Sequence, residues 1–70
     1  MQIHERQRPL DLAEMSNRLT PHGRVRHNEF VLKFWPGPYE MTLFPDGRAI
    51  IKGTVDAAIA RSLYARFVGN

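Results

Sequence analysis

The chain has 70 residues, ten Lys and Arg against seven Asp and Glu for a formal charge of +3, and no cysteine. A chain of this size buries only about 60% of the surface its unfolded state exposes, so one compact core is the limit and stability is modest unless a partner covers more. Without cysteine there is no disulfide, thiolate metal ligand, thioester or persulfide carrier, and a cytoplasmic location is the expectation.

Residues 1–9 are read as a flexible lead or linker, because Met1 to Arg8 is polar and aperiodic. This stretch lacks the apolar core of a secretory signal, and no apolar run approaches the length of a membrane span. Residues 10–70 are expected to form a single domain. Asp11 and Glu14 have capping-box spacing, with Leu10 and Met15 placed as a hydrophobic staple. A short helix from about Leu12 to Leu19 follows, with Leu12, Met15 and Leu19 on one face and Pro21 with Gly23 ending it.

From Arg24 the pattern alternates, which predicts a strand: Phe30, Leu32 and Phe34 project to one side, Val31, Lys33 and Trp35 to the other. Asn28 marks either a bend within one long strand or a break between two short ones, and the single bent strand is the expectation. Trp35-Pro36-Gly37-Pro38 cannot sit inside a ladder and predicts a turn into a strand over Tyr39 to Phe44. The Pro45-Asp46-Gly47 turn then reverses the chain into Arg48 to Gly53. Thr54 is the expected cap of a last helix starting at Val55, with Asp56 near its positive end. Val55, Ile59, Leu63 and Phe67 recur every four residues as its apolar stripe, and Gly69 stops it. The expected class is therefore α+β, in two layers: a three-stranded antiparallel meander with two helices on one face, in the order α-β-β-β-α.

If Phe30, Leu32, Phe34, Met41, Leu43 and Ile51 face the helices, then Val31, Lys33, Trp35, Thr42, Phe44, Ile50 and Lys52 face outward. Such a face is unusually apolar for water and suits protein docking, with Val31, Trp35, Phe44 and Ile50 as anchors and Lys33, Arg48 and Lys52 as a charged rim. Against this stand rings folded over the sheet edge, or a register shifted by one at Asn28. Trp35, Phe44, Lys33, Arg48 and Lys52 also describe, more weakly, a nucleic-acid surface on which bases stack and cations hold phosphates. The basic residues form no block along the chain, and there is no ribonucleoprotein-like aromatic motif.

Nothing in the pattern supplies catalysis. His4, His22 and His27 do not converge by spacing, and Glu29, Glu40 and Asp46 show no paired spacing for acid–base work. Ser16, Thr20, Thr42, Thr54 and Ser62 sit in no nucleophile elbow, and Gly37 and Gly47 are turn residues rather than a phosphate loop. No catalytic residue, metal site or cofactor is expected in this chain, which is not expected to be an enzyme on its own.

Three segments together, Asn28-Glu-Phe-Val-Leu-Lys-Phe34, Glu40-Met-Thr-Leu-Phe-Pro-Asp-Gly-Arg-Ala49 and Ala60-Arg-Ser-Leu-Tyr-Ala-Arg-Phe-Val-Gly69, carry a resemblance. They resemble the C-terminal segment of bacterial adenylyltransferases of the ThiF/MoeB/HesA family, the ubiquitin-activating-enzyme-like proteins. Full-length members adenylate the C-terminal glycine of a small ubiquitin-like or sulfur-carrier protein, using ATP and magnesium. The resemblance implies a non-catalytic accessory module whose partner is the adenylation domain, the carrier protein or a second copy of itself. It carries no catalytic or cofactor-binding residue onto this chain, which has no glycine-rich nucleotide loop and no cysteine pairs for zinc. The Trp35-Pro36-Gly37-Pro38 turn departs from the more polar turn expected there.

Overall fold

A computed structural model describes residues 1–3 and 9–69 of the chain. The first helix, α1 (Leu12–Leu19), starts where Asp11 accepts hydrogen bonds from the amides of Ala13 and Glu14 at 3.1 and 3.2 Å. Two amides that a helix start would leave without partners are thus satisfied. Leu12, Met15 and Leu19 are buried, as their spacing predicts. A 3₁₀ turn (Thr20–His22) then leads into the sheet.

Among the described residues the sheet is antiparallel and has five strands rather than three: β1 (Gln2–Ile3), β2 (Arg24–His27), β3 (Leu32–Trp35), β4 (Glu40–Leu43) and β5 (Ala49–Lys52), in the spatial order β1-β5-β4-β3-β2. Two observations account for the difference. Gln2 and Ile3 pair with Ile50 and Ala49 and add an edge strand from the segment read as a lead; His4 lies outside the described residues. The expected single bent strand is instead a hairpin of β2 and β3. The Asn28 side chain accepts from the amides of Phe30 and Val31 at 2.7 and 3.0 Å, and its own amide donates to the Val31 carbonyl at 3.0 Å. An asparagine satisfying the backbone in this way closes a turn rather than a bulge. Phe30, expected in the core, sits in that turn and is 69% exposed.

Gly23 precedes the hairpin because a side chain there would not fit: an added Cβ would lie 2.8 Å from the Trp35 carbonyl oxygen. At the other hairpin the Gly47 amide donates to the Phe44 carbonyl, and the Phe44 amide to the Arg48 carbonyl. Gly47 takes the left-handed conformation (φ 98°) that follows a proline-led turn in a three-residue hairpin loop.

The second helix, α2 (Ala57–Phe67), begins two residues later than expected. Asp56 is its cap, accepting from the Ala58 amide at 2.8 Å, while Thr54 accepts from the Asp56 amide. The expected stripe is also rotated. Of the expected stripe Phe67 is buried and Leu63 is half-buried against the core, but Val55 is 93% exposed and Ile59 is exposed, and Ala60, Tyr64 and Val68 are the further buried residues. The physical reason is packing height: the small Ala60 side chain suits close approach of α2 to the sheet, and Tyr64 then reaches the Gly47 carbonyl with its hydroxyl at 2.6 Å. Residues from both helices share one core with Ile3, Leu32, Phe34, Met41, Leu43, Ala49 and Ile51 of the sheet. Both helices therefore lie on one face, and among the described residues no element covers the other, open face.

Candidate functional site

Strand register builds the open face row by row. Arg26 opposes Lys33, Lys33 opposes Thr42, Thr42 opposes Ile50, and Ile50 opposes Gln2, one residue from each strand. In the next row Arg24 opposes Trp35, and Glu40 opposes Lys52. Since side chains alternate across a strand, these rows lie on the side away from the buried Leu32, Phe34, Met41, Leu43, Ala49 and Ile51. The register expected for Lys33, Trp35, Thr42, Ile50 and Lys52 is thus the one observed. Val31 joins Trp35, Lys33, Arg26, His27 and Asn28 around a shallow depression at the β2–β3 end. Phe44 and Arg48 continue the alternation into the β4–β5 turn.

The second row is an interacting network. The Arg24 guanidinium lies 5.1 Å from the Trp35 ring centre, the Trp35 indole N–H donates to Glu40 Oε1 at 3.1 Å, and Lys52 Nζ is 3.8 Å from Glu40 Oε2. At the turn the Arg48 guanidinium sits over the Phe44 ring at 4.8 Å and bonds Asp46 Oδ2 at 2.8 Å. Val31, Trp35, Phe44, Arg48 and Ile50 are half-buried, while Lys33 and Lys52 are exposed. Trp35 and Phe44 therefore neither stand bare in water nor fold away: each carries an arginine on its ring, an arrangement attractive through the ring quadrupole.

Folding also gathers charge that is dispersed along the chain. Arg24, Arg26, Lys33, Arg48 and Lys52, half of the ten cations, meet on this side, and among the described residues Glu40 and Asp46 are the counter-charges paired with them. Arg24, Arg26 and Glu40 were not among the residues placed on the face from sequence. Glu40 was legible, since it alternates with Thr42; the two arginines were not, because a bent single strand does not bring them back opposite Trp35 and Lys33.

Of the other candidates, His22 packs against Phe67 with ring centres 5.8 Å apart and His27 is exposed at the end of β2. Among the described residues no group of three or more His, Cys, Asp or Glu is placed to hold a metal ion, and no helix is long and apolar enough to cross a membrane.

No protein-family model matches the chain, and no solved structure matches it. The chain is 37% identical over 60 residues to the sulfur carrier protein ThiS adenylyltransferase of Bacillus subtilis (strain 168), a match covering 84% of this chain. The same match covers 18% of that relative, so the likeness is to a stretch of an adenylyltransferase less than one fifth of its length.

Proposed function

We propose that this chain is a non-catalytic recognition module of a ThiF/MoeB/HesA-like adenylyltransferase, corresponding to its C-terminal segment, and that the open sheet face is its docking surface. The partner is the adenylation domain, a ubiquitin-like sulfur carrier or a second copy of the chain. ATP and magnesium belong to a full-length enzyme in this reading. The observation that carries it is the likeness to a short stretch of an adenylyltransferase in a chain too small for a nucleotide-binding fold. The face supports it: Val31, Trp35, Phe44 and Ile50 supply apolar area, and Lys33, Arg48 and Lys52 supply polar rim contacts.

The test is binding of the chain to the adenylation domain and to the sulfur carrier from the same genome, and its self-association. Trp35→Ala with Phe44→Ala weakens the true association by about tenfold or more, with circular dichroism confirming the fold. Unchanged association with every one of these partners removes the face as the site.

A second reading, a small nucleic-acid-binding protein using the same face, draws on the gathering of five cations there. Salt separates the two. Phosphate contacts lose affinity steeply between low and moderate salt, whereas a largely apolar protein interface changes little.

A further inference from the structure

The five cations of the open face differ in what they already touch. Arg24 lies on Trp35, Arg48 lies on Phe44 and bonds Asp46, and Lys52 approaches Glu40. Arg26 and Lys33 are direct cross-strand neighbours, and among the described residues neither meets a carboxylate or a ring. Like charges directly opposite each other on a sheet are destabilising, so this corner costs the free protein stability that any interposed anion would return. It also borders the shallow depression formed with Val31, Trp35, His27 and Asn28.

We infer that the Arg26–Lys33 corner is a carboxylate-recognition site, and that the partner docking on this face is a protein presenting an acidic segment. This rests on the docking reading above and names the chemistry of the partner. Directly opposed residues have Cβ atoms about 5 Å apart, a separation one carboxylate spans, with the Arg26 guanidinium able to hold it through two parallel N–H bonds. The neighbouring depression accepts the apolar part of the same segment against Val31 and Trp35.

Nucleic acid fits this face less well. Single-stranded binders use bare rings as stacking platforms, whereas Trp35 and Phe44 are each covered by an arginine and the Trp35 indole is tied to Glu40. Glu40, between Trp35 and Lys52, would also lie against a phosphate backbone crossing the second row.

The test titrates the isotope-labelled chain with poly-L-glutamate and, separately, with single-stranded oligothymidine at near-physiological salt. Poly-L-glutamate is expected to shift the β2 and β3 amides and to bind more tightly than oligothymidine. Arg26→Gln and Lys33→Gln are each expected to weaken it by about tenfold, while Arg66→Gln, which removes the same charge from α2, changes it by less than about twofold. Neither Arg26→Gln nor Lys33→Gln should lower the urea midpoint, since each relieves the repulsion. Equal loss in Arg66→Gln would show that net charge alone attracts the polymer and would overturn the inference. Tighter binding of oligothymidine would overturn it in favour of nucleic acid. If an adenylyltransferase domain or carrier docks through Trp35 and Phe44 but is indifferent to Arg26→Gln and Lys33→Gln, the docking reading stands and this site falls. If poly-L-glutamate binds at this corner and neither family partner binds the chain, the site stands and the docking reading falls.

Discussion

Tyr64→Phe removes one oxygen and tests the link between α2 and the turn that carries Phe44 and Arg48. The hydroxyl donates to the Gly47 carbonyl at 2.6 Å, and Tyr64 is only 2% exposed. A typical internal hydrogen bond contributes about 0.5–1.5 kcal/mol, and a buried acceptor left without its partner costs about 1–3 kcal/mol. Gly47 is itself buried, so water cannot readily replace the lost donor and the upper part of these ranges applies. The expected loss is about 2 kcal/mol, a large share of the few kcal/mol that a core of this size supplies. In a domain this small each kcal/mol lowers the melting temperature by about 4–8 °C. Urea and thermal unfolding followed by circular dichroism give the magnitude, and amide shifts show whether the change centres on Phe44 to Arg48. A midpoint indistinguishable from that of the parent would refute both the bond and the placement of α2 over this turn.

Helix rotation is tested by Val55→Lys, expected within about 0.5 kcal/mol of neutral, against Ala60→Leu, expected to cost about 1–3 kcal/mol by overpacking; urea midpoints in the reverse order would restore the Val55 and Ile59 stripe. Asn28→Ala should cost about 1 kcal/mol and lower hydrogen-exchange protection across the β2–β3 ladder, whereas unchanged protection would argue against a turn built on that side chain. Gly23→Ala should destabilise by about 1–3 kcal/mol in a thermal melt, because the new methyl would press on the Trp35 carbonyl and the Phe34 ring at 2.8 and 3.2 Å.

Legibility followed period and local chemistry. The eight residues of α1 were readable because cap, apolar spacing and the proline-glycine stop agreed. The Pro45-Asp46-Gly47 turn and the facing of β3, β4 and β5 were readable for the same reason. Asn28 defeated the reading because its side chain replaces strand hydrogen bonds with its own, and alternation on both sides of a turn mimics one continuous strand. The α2 stripe held at Leu63 and Phe67 and failed in its first half on size: Val55 and Ile59 look like core residues, yet the small Ala60 and the hydroxyl-bearing Tyr64 are what the sheet accommodates. β1 is two residues long and owes its place to β5, a tertiary effect with no local signal. The clustering of cations was hidden for a related reason, since Arg24 and Arg26 join the face only once the hairpin closes.

If the open face is the docking surface proposed above, its two rows would divide the work of recognition. In the row of Arg24, Trp35, Glu40 and Lys52 every group has a partner within the chain, so the indole is shielded in the free protein and need not gather a second surface indiscriminately. A partner gains there only by replacing Arg24 on the ring with contacts at least as good, which favours well-matched shapes over greasy ones. The Arg26 and Lys33 pair has the opposite character. Two like charges opposed across the strands are unfavourable in the free state, so a suitably placed carboxylate would relieve them, and the pair would contribute attraction and orientation more than packing. A saturated row beside an unsaturated one would let a face with this much aromatic area discriminate among the partners it could meet. On the proposed docking reading, long-range charge would bring an acidic segment to the β2–β3 corner, and only a segment that also competes with Arg24 for Trp35 would remain.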